Sequence, residues 1–256
     1  MSDVIAPPDL TSQSQLCGAM RQAGYAVLSP ELVVQGVGCN LADLMALNAS
    51  WEDLATDTYL KDGGRYRKRR HSCFVAEGGT LQQTPHRAHW QPVEYNALHG
   101  GMQRWFEPMA TEVVNTMAWQ KLLLWLAAQF SACRHSEAKP KNTFEKWFVE
   151  AHQFRIDTTD GIGRPTPEGA HRDGVDLVVV VMVAREAIKG GETRVFDAHG
   201  SQGLRFTLSE PWSALLLDDE RVIHESTPIQ PVDPAGGGHR DTLVLTFRRS
   251  GFQGPG

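Results

Sequence analysis

Cysteine is scarce in this chain, and so are long apolar runs and any excess of positive charge. The four cysteines, Cys17, Cys39, Cys73 and Cys133, are scattered and form no Cys-x-x-Cys pair. That argues against a zinc knuckle or a disulfide framework and suits a reducing cytoplasm. The first residues, MSDVIAPPDLTSQSQ, carry no basic segment followed by an apolar stretch. Neither a secretory leader nor a membrane span is expected, so the protein is read as cytoplasmic with no membrane partner. Basic residues number 25 against 30 acidic ones, a formal net charge of −5. Such a balance gives no bulk attraction to polyanions, and nucleic acid is not expected as a partner. Internal repeats and low-complexity blocks are also lacking.

What is present is an ordinary globular composition, 41% hydrophobic over 256 residues. The length suits one domain, 1–256, able to bury a core without covalent help. Residues 1–140 read as its helical part. A short helix over about 14–22 closes at Gly24 and leads into a strand at 25–28. Asn40 is placed to cap a second helix through Leu41, Leu44, Leu47 and Trp51. The apolar spacing of Phe106, Met109, Val113, Met117, Leu124 and Ala128 predicts a long helix over about 102–130. At Lys139-Pro140-Lys141-Asn142 the pattern changes. Short strands follow at roughly 146–156, 176–184, 193–196, 204–208, 214–217, 222–224 and 242–248, separated by Gly, Pro and Asp. Many short strands with turn signals between them predict a β-sandwich or barrel over 141–250, with the helices packed around it.

Two His-x-Asp triplets occur, His171-Arg172-Asp173 and His239-Arg240-Asp241. On extended backbone, residues i and i+2 share a face, so His171 and Asp173 can present an imidazole and a carboxylate to one ion. They lie where a Gly/Pro loop enters the apolar run Val175–Val183, exposed to substrate yet anchored by a scaffold. His224, closing the short strand Val222-Ile223-His224, offers a third ligand. Two histidines and a carboxylate on one face of an octahedral ion leave three positions open. The plainer reading is a polar turn at His171 and a half-buried strand histidine at His224. The second triplet has no histidine after it, and no glycine-rich loop or Asp-Phe-Gly supports a kinase.

Other residues carry two readings each. Gln153 and Arg155 share one face of a strand, either lining a cavity or facing solvent. The run Arg65-Tyr66-Arg67-Lys68-Arg69-Arg70-His71 reads as a solvated face, with the alternative that one arginine reaches into a pocket to meet a substrate anion. His86 and His89 follow the turn Thr84-Pro85 in what reads as a surface loop. Gly190-Gly191 reads as a tight turn needing positive φ.

Five segments in order, EAHQFRI (150–156), TPEGAHRDGVD (166–176), IKGGETRVFD (188–197), VIHESTPIQP (222–231) and HRDTLVLTF (239–247), resemble the 2-oxoglutarate/Fe(II) dioxygenase superfamily. More narrowly they are similar to its bacterial subfamily of free L-isoleucine hydroxylase and a stress- and biofilm-associated protein. The resemblance covers mainly 145–248. It implies a double-stranded β-helix, a cupin-like jelly roll, that uses Fe(II), 2-oxoglutarate and O₂. Within it, His171, Asp173 and His224 are the catalytic metal ligands, and Arg240 with Thr242 holds the distal carboxylate of 2-oxoglutarate. Gln153 and Arg155, in a shared segment, are expected to contact the cosubstrate or the substrate's carboxylate. The implied substrate is a small molecule, a free L-amino acid hydroxylated on its aliphatic side chain or oxidised at sulfur. Three rivals stand beside this reading: a hydroxylase of protein or nucleic acid, a catalytically silent jelly-roll sensor, and a non-redox isomerase of cupin type. Against the nucleic-acid version, the dealkylase pattern Arg-x-Asn-x-Thr-x-Arg is not met, since Thr242, Val244 and Thr246 follow Arg240. Oligomeric state stays open.

Overall fold

Local capping chemistry sets the helices of the first third. In the computed structural model, which describes residues 7–134 and 145–255, α1 (Leu16–Ala23) stops at Gly24 with φ 76°. Strand β1 (Tyr25–Leu28) follows. Ser29 Oγ then accepts the Leu32 amide, and Pro30 occupies the first turn of α2 (Pro30–Val37), where its missing N–H costs nothing. Asn40 and Asp43 exchange side-chain-to-backbone hydrogen bonds of 2.9 and 3.0 Å at the start of α3 (Leu41–Met45). This reciprocal cap leads into a 3₁₀ turn, Ala46–Trp51.

The expected single helix over 102–130 is two elements. No helix covers 102–110; α4 is one turn (Thr111–Val114), and α5 (Met117–Arg134) carries the long apolar stretch. Pro108 disfavours helical backbone before it. The segment instead bonds to its neighbours: His71 N donates to Glu107 O at 2.9 Å, and His89 and Arg104 form an antiparallel bridge.

The strands are β2 (Arg67–Glu77), β3 (Thr80–Gln83), β4 (Trp147–Asp157), β5 (Leu177–Glu186), β6 (Ile188–Gly190), β7 (Thr193–Asp197), β8 (Gly203–Phe206), β9 (Ala214–Asp218), β10 (Val222–Ser226), β11 (Ile229–Pro231) and β12 (His239–Arg248). Every expected strand after 145 is present; β6 and β11 are additions. Pairing is antiparallel throughout. The large sheet runs β1-β9-β5-β12-β4-β2-β3, facing the small sheets β10-β7-β8 and β11-β6. This is the expected jelly roll, although three of its seven large-sheet strands come from the half expected to be helical. The pattern change at 139–142 falls outside the described residues.

Two cores flank the large sheet. On its outer face α1, α2, α3 and α5 cover Trp147, Val149, Ala151, Val179, Leu243, Leu245 and Phe247. Between the sheets, Val178, Met182, Val195, Phe206, Leu215 and Val222 fill one end of the sandwich. The other end is left open and polar. Against the expectation of no disulfide, Cys17 on α1 is bonded to Cys133 on α5 across a separation of 116 residues, with Cα atoms 4.6 Å apart. Packing of α1 on α5 brings the two together, and cysteine spacing in sequence carries no sign of it.

Candidate active site

The open end of the sandwich is a narrow cleft of about 120 Å³. His171 enters it because the loop before β5 is pinned to β10: His171 N donates to His224 O at 3.1 Å, and His224 N returns the bond at 3.0 Å. Asp219 holds the next three residues, accepting the amides of Asp173, Gly174 and Val175 at 3.0, 2.8 and 3.1 Å. Gly174 (φ 75°) has no room for a side chain, since a Cβ there would lie 2.4 Å from the Tyr95 ring. Burial, together with the charge on Asp173, raises the Asp219 carboxyl to about 7.

So held, His171, Asp173 and His224 converge. The two Nε2 atoms lie 3.8 and 3.9 Å from the two carboxylate oxygens of Asp173. His171 Nδ1 lies 2.9 Å from Gly169 O, so Nδ1 carries the proton and Nε2 turns its lone pair toward the carboxylate. Burial pushes His224 down to about 3, helped by the nearby His171, so its ring is neutral. His171 moves the other way: burial opposes its charge, but Asp173 and Glu168 outweigh burial and raise it. Lone pairs and a carboxylate aimed at one point form a donor set that fits a divalent cation.

Arg240 and Thr242, i and i+2 on β12, line the same cleft. Arg240 is 4% exposed and has no carboxylate within ion-pairing distance among the described residues, and its Nε has no acceptor. Burial and the neighbouring Arg185 push it down to about 10. A buried guanidinium without a counter-ion is costly, and the carboxylate of a bound diacid would supply one. Gly190 and Gly191 have the positive φ expected, 79° and 69°. A Cβ on Gly191 would lie 2.9 Å from Arg185 Nη1 and 3.8 Å from Arg240 Cδ, so glycine keeps room beside both arginines.

Gln153 and Arg155 are placed on the opposite face of β4, contrary to the expectation. Gln153 Nε2 donates to Ser50 Oγ at 2.6 Å. Arg155 forks between Asp241 (2.8 and 2.7 Å) and Glu52 (3.0 and 2.7 Å), tying the 3₁₀ turn to the outer sheet face. The cleft is lined by the alternate residues His152, Phe154 and Ile156. β4 is buried on both faces, so no polar alternation distinguishes inside from outside.

The basic run is only partly a solvated face. From Arg67 on it opens β2, in register with β4 so that Arg67, Arg69 and His71 oppose Ile156, Phe154 and His152, while Arg65 before the strand is exposed. Arg67 and Arg69 are each 4% exposed. Arg67 Nε donates to Asp57 at 2.7 Å, and Arg69 lies over the Phe106 and Phe154 rings at 3.8 and 4.3 Å. His89 is buried rather than looped on the surface: its Nδ1 reaches Glu150 at 2.7 Å, beside His71 Nε2 at 3.0 Å. With His152, these residues form a second group whose ligand atoms all lie within 4.8 Å of one another. Arg69 Nη2, however, approaches His152 Nδ1 at 2.6 Å. An always-protonated guanidinium must donate, so His152 carries its proton on Nε2, directed to the Glu150 side. Proton-bearing nitrogens around one carboxylate let these residues bond to one another without an ion, although His71 Nδ1 is left buried with no partner.

Such a sandwich, with this cleft and this donor set, is the architecture of an iron oxygenase that takes a diacid cosubstrate. Residues 48–246 match the family model for 2OG-Fe dioxygenases, and the chain belongs to that family. It is thus an oxidoreductase that uses Fe(II), 2-oxoglutarate and O₂. Among solved structures, a bsmA homologue from Methylobium petroleophilum PM1 shares 50% identity over 98% of each chain, with a TM-score of 0.89. IDO from Bacillus thuringiensis shares 17% identity over 93% of this chain and all of its own, at 0.74. The dioxygenase TqaL shares 20% identity over 92% and 86%, at 0.68. The last two likenesses concern the fold. No curated protein matches the chain.

Proposed function

We propose that this dioxygenase oxidises a free L-amino acid, by hydroxylation of an aliphatic side chain or oxidation at sulfur, with iron on His171, Asp173 and His224. The observation that carries the reading is the convergence of those three donors in one cleft with Arg240, which has no ion-pair partner among the described residues, and a wall of buried arginines. The five resembling segments support the substrate class.

When bound, the iron with 2-oxoglutarate and O₂ supplies the oxidation, coupled to release of succinate and CO₂. The chain's residues do the rest. Gly169 O sets the His171 tautomer, and Gln91 Nε2, donating to Asp173 Oδ1 at 2.9 Å, fixes the carboxylate. Arg240 and Thr242 take the distal carboxylate of 2-oxoglutarate, and Val180, Phe154 and Val244 line the interior with apolar surface that excludes water.

The test is anaerobic reconstitution with Fe(II) and 2-oxoglutarate, then O₂, with mass-spectrometric screening of free amino acids. An aliphatic or thioether amino acid should accelerate succinate formation and gain one oxygen atom. His171→Ala and His224→Ala should lose most bound Fe(II). Stimulation by a peptide alone would make it a protein hydroxylase, and no turnover of 2-oxoglutarate at all would leave a sensor.

A further inference from the structure

The cleft holds two more charges of opposite sign, Arg104 and Glu168, each with a buried polar atom that no hydrogen-bond partner meets among the described residues. Arg104 is 2% exposed and lies on the segment bridged to His89. Its Nη2 donates to Gln91 Oε1 at 2.9 Å, but its Nε has no acceptor. No carboxylate lies within ion-pairing distance of it among the described residues. Its two neighbours differ: Arg67 is paired with Asp57, and Arg69 lies 3.8 Å from the same carboxylate. One carboxylate serves two guanidinium groups there, and none is left for Arg104.

The position of Arg104 relative to the iron ligands is fixed by a single amide. Gln91 accepts from Arg104 and from Asn96 Nδ2 (3.2 Å) through Oε1, which leaves Nε2 to donate to Asp173 at 2.9 Å. An anion seated on Arg104 is therefore one side chain away from Asp173. The opposite charge is Glu168, three residues before His171. Its Oε1 lies 3.5 Å from His171 Nε2, while its Oε2 is buried without a hydrogen-bond donor. Both residues line the cleft. Burying a guanidinium and a carboxylate in one cavity, each with an atom left without a hydrogen-bond partner, is costly for each. A ligand carrying one anionic and one cationic group close together relieves both costs at once.

We infer that Arg104 and Glu168 are the two poles of a zwitterion seat, Arg104 binding the substrate's α-carboxylate and Glu168 its α-ammonium. The inference rests on the amino-acid reading above and makes it specific: both termini of the substrate must be free. Peptides, N-acyl amino acids and amino-acid amides are excluded by charge, and the side chain is left to face the apolar lining.

Equilibrium binding to the anaerobic Fe(II) and 2-oxoglutarate complex tests it with L-isoleucine, L-leucine and L-methionine, the amide of each and the N-acetyl derivative of each. Loss of one partner of a buried charge pair is expected to weaken binding by about thirtyfold or more for the amide and for the N-acetyl compound. In Arg104→Gln the preference for acid over amide should collapse to within about threefold while the preference against N-acetylation persists. In Glu168→Gln the reverse should hold. Arg104→Lys and Glu168→Asp keep the charges, provide the same comparison should a neutral variant fail to fold, and should retain a graded preference. If free amino acids bind but neither ratio moves in its matching variant, the seat lies elsewhere and the amino-acid reading stands. If the wild type binds none of the free amino acids, both fall.

Discussion

Arg240 shows how one side chain sets a specificity. It sits on the last strand, buried, with no carboxylate in ion-pairing distance among the described residues, so the apo protein bears a desolvation cost that an anionic ligand relieves. Arg240→Ala should weaken 2-oxoglutarate binding by about 100-fold, the scale of a lost charged hydrogen-bond pair, with Fe(II) content retained. Cosubstrate titration and metal analysis on one sample separate the two effects. An unchanged 2-oxoglutarate affinity would transfer the role to Arg185. His89 makes a different prediction. Burial, which outweighs the attraction of Glu150, pushes it down to about 4 from an ordinary 6.5. Between those values the unfolded chain binds a proton that the folded chain does not, so stability falls as pH drops from 6.5 toward 4. Glu150, held below the usual carboxylate range by His89 and His71 despite its burial, adds a loss of the same sign below its ordinary 4.5. The melting temperature should therefore fall steeply on the acid side, and His89→Gln should flatten the drop. A pH profile identical to wild type in that variant would dissociate His89 from the effect.

At the level of elements, β2 and β4 explain both what the sequence discloses and what it hides. The convergence of His171, Asp173 and His224 was only partly legible: a Gly/Pro loop entering an apolar strand marks His171-Arg172-Asp173, but choosing His224, on a separate strand, rested on the resemblance of the five ordered segments. The parity of β4 was not legible, because Trp147, Val149 and Ala151 bury one face while Phe154 and Ile156 bury the other. Polar residues on such a strand can point either way, and Gln153 and Arg155 point to the helices. The basic run misleads for a related reason. Its charges look solvated until Asp57, ten residues before Arg67, is known to fold back against them. Cys73 and Glu150, or His71 and His152, become neighbours only through the pairing of strands more than 70 residues apart. Asp57 is the element's weak point. Its carboxylate accepts Arg67 Nε at 2.7 Å and the Tyr59 amide at 2.9 Å. Asp57→Ala leaves Arg67 and Arg69 buried without a counter-ion, and about 3–5 kcal/mol of stability should be lost. Urea unfolding reads the loss directly; a cost under about 1 kcal/mol would mean the arginines find water instead.

For the whole molecule, the division of labour follows the two faces of the large sheet. One face, with the small sheets, makes the cleft; the other is plated by helices, of which α1 and α5 are tied covalently by Cys17–Cys133. That tie sits in the helical layer, across the sheet from the cleft, so it bears on the stability of the scaffold and not on the chemistry. Closing a loop of 116 residues removes entropy from the unfolded chain worth about 5 kcal/mol in the chain-entropy account. Cys17→Ser and Cys133→Ser should each lower the melting temperature by similar amounts, and the double variant by no more than either, since one bond is lost in every case. A reductant should bring the wild type down to the variants and leave them unmoved. Iron and 2-oxoglutarate binding well below the transition should be the same in all four proteins. Thiol titration of the denatured, unreduced chain supplies the independent check: Cys39 and Cys73 alone should react. Four reactive thiols, with a melting temperature insensitive to reductant, would show that the helical layer is held by packing alone.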